Sequence, residues 1–492
     1  MNNDFLLIFP VVFPILAGVA VFLCGRCRCQ SRIRNILTAG FLLIEAVLIV
    51  IAVSGERTLF LGSIADGLEI VFKTDTVSGI FASLAACVWL LVGIYSAEYM
   101  ENDGHAARFQ GFFVMTEAFL TALAFSGNII TFYIFFESMT IISMPLVFHE
   151  MTHEAIMAGL KYLFYSVAGA FMALLGIILL SEYGILGTFT PGGILNTAEI
   201  SANKGILYAS SMLMIAGFGT KAGMMPMHGW LPKAHPEAPA PASAVLSGVI
   251  TKMGILAVIR TVYYLIGPGL LRGTWVQGLW MILALVTVFA GSMMAFREDH
   301  LKKRLAYSTV SQVSYIMFGL SLMHPAAFAG AIAHVVYHSF IKNTLFMGAG
   351  AIIHKTGKTK ASQLRGIGKE MPQVMLCFTF CSLGLIGIPA FSGFISKWYL
   401  ITGSLKSGIP VFSWLGPVVL LVSALLTAGY LLPVSIRGFF PGADFNTESV
   451  IKREPSYKML VPMAVMTVLT VIFGLFPGFF IDPVLNLAAS LM

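Results

Sequence analysis

Blocks of roughly twenty nonpolar residues recur from one end of this chain to the other, and roughly twenty is the length one helical bilayer crossing takes. In hydrocarbon every backbone N–H and C=O must find its partner inside the protein, so helices are the expected spanning form. The blocks lie near 5–25, 35–54, 75–98, 109–126, 128–148, 154–182, 204–226, 241–266, 274–296, 305–323, 325–354, 372–402, 410–436 and 457–484, about fourteen in all. Charged residues make up 11% of the 492, against about 25% in ordinary soluble domains. A water-soluble fold is excluded, and the chain is read as an all-α polytopic membrane protein in the lipid bilayer. The first run, Phe5 to Gly25, has an acid before it and arginines after it, so a retained first helix is expected rather than a cleaved signal peptide.

The formal charge of +7 sits in short loops between apolar runs, not on one soluble face, so no nucleic-acid partner is expected. Lysine and arginine instead report topology, because loops rich in them stay cytoplasmic. Arg26, Arg28, Arg32 and Arg34 follow the first run, and Arg297, Lys302, Lys303 and Arg304 follow the ninth. Lys355, Lys358, Lys360, Arg365 and Lys369 follow the eleventh, and Arg437, Lys452, Arg453 and Lys458 the thirteenth. Both termini are therefore expected on the outer side of a cell's cytoplasmic membrane. The loops with Glu101, Asp103, Glu150 and Glu154 do not share the bias. Cys24, Cys27 and Cys29 cluster past the first run, but no fourth ligand stands near them, and reduced thiols are expected rather than a metal or iron–sulfur site.

Two runs are interrupted. The seventh contains Gly217-Phe-Gly-Thr-Lys221-Ala-Gly-Met-Met-Pro226-Met-His228-Gly-Trp230-Leu-Pro232, and the twelfth Gly384-Leu-Ile-Gly-Ile-Pro389-Ala-Phe-Ser-Gly393-Phe-Ile-Ser-Lys397. Proline removes a backbone donor and clashes with the preceding turn, so both helices should break. Broken helices in corresponding parts of two halves point to an inverted-repeat transporter and its ion site. Two ordinary proline kinks are the plain alternative, weakened because each break carries a lysine.

Ionisable residues at mid-membrane cost about 2.5 to 3.5 kcal/mol each on insertion scales and usually face protein or water. Glu137 lies midway along the fifth run, Lys221 and Lys397 beside the two breaks, and Lys252 in the eighth run. In the eleventh, His334, His338 and Lys342 recur every four residues, which stacks them on one helical face. Static ion pairs explain one acid with one base but not the surplus of lysines. An ammonium buried without a partner tends to release its proton, and a lysine poised between two states carries protons. Unit charges ~4 Å apart interact by about 4 kcal/mol at an effective dielectric near 20, enough for neighbouring sites to drive one another. A relay is therefore preferred. The hydroxyls and amide of Tyr307-Ser-Thr-Val-Ser311-Gln312-Val-Ser-Tyr315 suit a water file and interhelical hydrogen bonds equally. His334 and His338 have metal-ligand spacing without a third ligand, so no metal is expected. Glu117 fits a second acid on the path or a residue at the lipid edge.

The stretch Phe218-Gly-Thr-Lys221 through Trp230-Leu-Pro-Lys233-Ala-His235 to Gly248 resembles the antiporter-like subunits shared by respiratory complex I, Mrp-type cation/proton antiporters and membrane-bound group 4 hydrogenases. Phe135-Phe136-Glu137-Ser-Met, Leu305-Ala-Tyr-Ser-Thr-Val-Ser-Gln312, His334 with His338 and Lys342, and Ser392-Gly-Phe-Ile-Ser-Lys397 are similar to the same family. The resemblance implies fourteen core helices: three at 1–108, an inverted five-helix repeat at 109–266, a second at 267–440, and a last helix at 441–492. It implies a proton relay in which Glu137 and Lys221 form a gating pair, Lys252, His334, His338 and Lys342 the centre, and Lys397 the terminal carrier. Relatives often carry an acid where this chain has Lys233, and the end at Met492 implies no long lateral helix. No cofactor motif is present, so redox chemistry is assigned to peripheral partner subunits. The expected function is translocation of protons, alone or in exchange for sodium, inside a multisubunit membrane complex. The rivals are a stand-alone transporter for a small solute or inorganic carbon, and a scaffold that conducts nothing.

Overall fold

The computed structural model describes residues 3–26, 30–65, 67–445 and 450–492. Cys27, Arg28 and Cys29, which complete the cysteine cluster with Cys24, lie outside the described residues. Helices α1 (Phe9–Arg26) and α2 (Ser31–Val53) lead into a hairpin of β1 (Thr58–Ala65) and β2 (Leu68–Lys73). Then come α3 (Thr76–Tyr99), α4 (Ala106–Ala124), α5 (Ile129–Val147), α6 (His153–Leu180), α7 (Lys204–Ala222) and the short α8 (Leu231–Glu237). The continuous helix α9 spans Ala240–Ile266. The second half holds α10 (Trp275–Arg297), α11 (Leu301–Ser321), α12 (Pro325–Thr356), α13 (Pro372–Ile386), α14 (Ser392–Lys406), α15 (Phe412–Phe439), α16 (Tyr457–Leu475) and α17 (Gly478–Leu491). Among the described residues nine helices are long and apolar enough to cross a membrane.

The all-helical expectation needs one amendment. Residues 58–73 pair as antiparallel strands, Thr58 opposite Lys73 and Phe60 opposite Val71. The segment is rich in β-branched and aromatic residues in runs too short to span lipid, closed by a turn at Gly67, which suits a short hairpin. The hairpin is tied to the end of α4 and the start of α5: Lys73 N–H donates to Phe125 O at 2.6 Å, and Asn128 Nδ2 to Glu69 O at 2.9 Å. The last apolar run also divides, at Pro477, where a helix cannot continue without losing a backbone bond.

Helix α12 is the axis of the bundle. Its 32 residues pack against α3, α9, α11, α13, α14, α16 and α17, and every residue from Ala327 to Ile352 is buried. A helix apolar or occupied on all sides belongs in a core. α9 is likewise wholly buried, whereas α1, α2, α6 and α15 turn large apolar side chains such as Leu16, Val50, Phe164 and Leu425 outward, as lipid-facing helices do.

Both expected breaks form, by one local device. α7 stops at Gly223 (φ +80°) and α13 at Gly387 (φ +94°), left-handed conformations that cost glycine little. Gly223 N–H returns to Thr220 O at 3.0 Å and Gly387 N–H to Leu383 O at 3.1 Å. A proline follows three residues after the first and two after the second, so neither helix resumes at once. α9 contains π-helical turns at Leu246–Ile250 and Arg260–Ile266. The wider winding leaves carbonyls free for side chains, which bears directly on Lys252.

Candidate functional site

Lys221 stands in the last turn of α7 and is buried. Its Nζ donates to Thr140 Oγ1 of α5 at 2.8 Å and, on α6, to the Tyr162 hydroxyl at 2.7 Å and Ser166 Oγ at 3.2 Å. All three ammonium hydrogens thus have a neutral acceptor. Tyr162 continues to Ser143 Oγ at 2.8 Å. Glu137 lies one turn before Thr140 on α5, half-buried, with Oε1 unpartnered. No Glu137–Lys221 ion pair occurs among the described residues. The hydroxyl cradle takes the place that direct contact would fill.

Lys252, inside α9, donates to Ser247 O in the first π-turn, while Ser339 of α12 donates to Gly248 O. Ser247 Oγ meets Thr309 Oγ1 of α11 at 2.7 Å, and Thr309 bonds Leu305 O at 3.0 Å. Leu305 O also accepts from Lys342 Nζ at 2.9 Å, and Lys342 reaches Ser308 Oγ at 2.8 Å. Ser308 accepts from Tyr430 of α15 at 2.8 Å. Polar contacts therefore surround both Lys252 and Lys342 and cross from α9 to α15, with the carbonyls Ser247 O and Leu305 O acting as acceptors between them.

His334 and His338 stack with ring centroids 5.6 Å apart, and Tyr315 stacks on His334 at 5.7 Å. His334 Nδ1 meets Ser396 Oγ at 2.9 Å, next in sequence to Lys397, while His334 Nε2 and both nitrogens of His338 have no partner. Buried nitrogens of this kind suit water as the missing partner. Lys397 Nζ donates to Leu385 O at 2.5 Å and Ile386 O at 2.9 Å and lies 5.3 Å from the Tyr315 ring centre. It caps the two carbonyls freed where α13 ends, where a cation also complements the helix dipole. At the first break Thr220 O accepts from the Trp230 indole N–H at 3.0 Å besides Gly223 N–H.

The structure thus groups the seven residues singled out from sequence into three local clusters: Glu137 with Lys221, Lys252 with Lys342, and His334 and His338 with Lys397. The hydroxyls of α11 divide between two uses: Ser308 and Thr309 serve the lysines, and Ser311 bonds Ser292 at 2.8 Å across helices. Sequence reading missed Thr140, Tyr162, Ser166 and Ser247. The four-residue spacing of Tyr162 and Ser166 was the available signal. It also missed His235, fully buried with both nitrogens unpartnered and stacked on Phe346 at 4.6 Å. Lys302, counted as a loop charge, is buried and donates to Ala238 O at 2.8 Å at the end of α8, so it supports the topology count less than its neighbours do. Lys233 is exposed.

Residues 126–431, which contain every residue of the three clusters, match the family described as NADH:quinone oxidoreductase/Mrp antiporter, TM. The chain belongs to this family. Residues 64–110 of this antiporter-family chain match a second description, NADH-ubiquinone oxidoreductase (complex I), chain 5 N-terminus. NADH-quinone oxidoreductase subunit N of Desulforudis audaxviator is 31% identical, with 98% of each chain covered. A Na(+)/H(+) antiporter subunit from Alkalihalophilus pseudofirmus is 28% identical over 96% of this chain and 94% of that one. A chain in the Mrp complex from Dietzia sp. DQ12-45-1b superposes with a TM-score of 0.82 at 23% identity, covering 100% of this family member and 98% of that chain. This last likeness is one of fold. These relatives are subunits of multisubunit membrane assemblies, and this family member is an embedded, multi-span chain.

Proposed function

We propose that this chain is a proton-translocating subunit of a multisubunit membrane complex, driven by redox chemistry or antiport in partner subunits, with sodium as an exchanged ion. The observation that carries this reading is the cradle of hydroxyls around buried Lys221, made by Thr140, Tyr162 and Ser166 and continued from Tyr162 to Ser143. A hydroxyl both accepts and donates, so this cradle can pass a proton on, which a static charge does not require. Fourteen crossings, inverted repeats at 109–266 and 267–440, a cytoplasmic membrane and outward-facing termini belong to the same proposal.

The donor arithmetic fits a carrier. As an ammonium, Lys221 donates three hydrogens to three hydroxyl oxygens. When one proton leaves, the amine keeps two donors and gains a lone pair, and any of the three hydroxyls can rotate to donate into it. Tyr162 and Ser143 give the departing proton a next step. Lys397 bonds two carbonyls, which cannot donate; an ammonium has a third hydrogen to release while the amine retains both bonds. Glu137, close to Lys221 but not paired with it, sets how firmly that lysine holds its proton. His334 and His338 bridge the remaining gap through water.

Glu137→Gln and Lys221→Ala are tested in membrane vesicles by the quench of a pH-sensitive dye on adding the complex's electron donor or a sodium gradient. Both should abolish coupled proton movement while the partner subunits still assemble. Unchanged movement in both variants would refute the assigned roles. Activity of the purified single polypeptide in liposomes would favour a stand-alone transporter instead.

A further inference from the structure

Glu45 of α2 and Glu117 of α4 are fully buried, and among the described residues none of their four carboxyl oxygens has a hydrogen-bond partner. Thr121, one turn along α4 from Glu117, is also fully buried and its Oγ1 is equally unpartnered. Counting about 1.5 Å per residue, Glu45 lies about 21 Å from the start of α2 and Glu117 about 17 Å from the start of α4. Two crossings apart, these helices rise from the same face and pack on each other, so both carboxyls stand near mid-depth. Glu117 is thereby inside the protein and not at the lipid edge.

Charges on the surrounding helices are engaged elsewhere or unbonded to this pair. Arg34 of α2 is held by Gln110 Oε1 at 2.8 Å, and Arg108 of α4 by His149 O at 2.5 Å. Arg26 ends α1. On α3, Asp75 pairs with Arg260, Glu98 binds Lys355 at 2.8 Å, Tyr95 bonds Met347 O, and Cys87 and Tyr99 make no bond to the pair. On α5, Tyr133 and Glu137 do not reach it, and on α9 Lys252 is bonded to Ser247 O. Two carboxylates without donors cannot both remain charged at this depth. Neutrality takes two unit positive charges, and carboxylate and hydroxyl oxygens suit small hard cations.

We propose that Glu45 and Glu117, with Thr121, form a binding site for monovalent cations, holding two protons or one proton and one sodium ion, apart from the lysine clusters. α4 packs on α9, the helix of Lys252, so the site neighbours the path without belonging to it. It does not depend on the roles given to Glu137 and Lys221.

Infrared difference spectroscopy on the intact complex in lipid nanodiscs tests this, first stepping pH without sodium, then adding sodium chloride at fixed pH. The expected result is a protonated-carboxyl C=O band that shrinks as pH rises and is cut by half or more in Glu45→Gln and in Glu117→Gln. Sodium-dependent loss of the band at fixed pH would assign the alkali ion, and loss with pH alone would assign protons; both outcomes support the site. Identical bands in wild type and both variants under all conditions would overturn it. If the glutamine variants fail to assemble, Glu45→Asp and Glu117→Asp keep the test: each must shift the band, and a wild-type complex without any such band overturns the site by itself.

Discussion

Lys397→Met isolates the structural part of a carrier's task. The substitution keeps the unbranched stem and removes both bonds that Lys397 Nζ makes, to Leu385 O at 2.5 Å and Ile386 O at 2.9 Å. Each buried acceptor left without a donor costs about 1 to 3 kcal/mol, so the end of α13 loses about 2 to 6 kcal/mol of local stability. At about 1.4 kcal/mol per factor of ten, the lower bound is a roughly thirty-fold rise in local opening. Two amides report it: Gly387 N–H, bonded to Leu383 O and Gly384 O at 3.1 and 3.2 Å, and Ile388 N–H, bonded to Leu383 O at 3.1 Å. Hydrogen–deuterium exchange of the complex in nanodiscs should show these amides exchanging at least about thirty-fold faster in Lys397→Met. The amides of α7 around Gly223, capped by Trp230, should stay at the wild-type rate. Unchanged exchange at 387 and 388 would refute the capping role and with it the two-bond argument for proton release.

Three further outcomes are expected. Trp230→Phe removes one of the two donors to Thr220 O, Gly223 N–H remaining, and should cost about 0.5 to 1.5 kcal/mol, read as a lower thermal midpoint; an unchanged midpoint would show that the indole bond adds nothing. Arg260 grips Asp75 with two bonds, at 2.5 and 2.9 Å, while stacked 4.5 Å from the Tyr264 ring centre. Arg260→Met should cost about 3 to 5 kcal/mol, and adding Asp75→Asn should recover part of it in a double-mutant cycle. In the loop between α3 and α4, burial opposes the charge of Asp103, but the His105 N–H and the His149 ring at 2.8 Å outweigh it and hold the carboxyl below its ordinary range. Its contribution is therefore present above the unfolded carboxyl's pKa of about 3.9 and is lost as pH falls through the lower folded value. Asp103→Asn should flatten the acid side of the thermal-midpoint profile; an identical slope would discard the assignment.

The breaks were legible because glycine and proline act locally: Gly223 and Pro226, Gly387 and Pro389 stop a helix whatever surrounds them. The buried lysines were legible because one charge in an apolar run stands out. What held them was not, since Thr140 and Tyr162 reach Lys221 across 81 and 59 positions of sequence and depend on how α5, α6 and α7 pack. Glu45 escaped notice although it too is a lone charge in an apolar run, because its significance lies in Glu117 standing at the same depth on another helix. The hairpin at 58–73 was hidden by its length, and the π-turns of α9 leave no mark that hydrophobic periodicity over one turn can register. Lys302 shows the limit of counting loop charges: position relative to an apolar run does not say which way a side chain turns.

α12 runs without interruption for 32 residues, and its far end is moored, Lys355 to Glu98 at 2.8 Å and Glu98 in turn to the Ser456 hydroxyl at 2.5 Å. His334, His338 and Lys342 thus share one helix with this mooring, with no break in it between them.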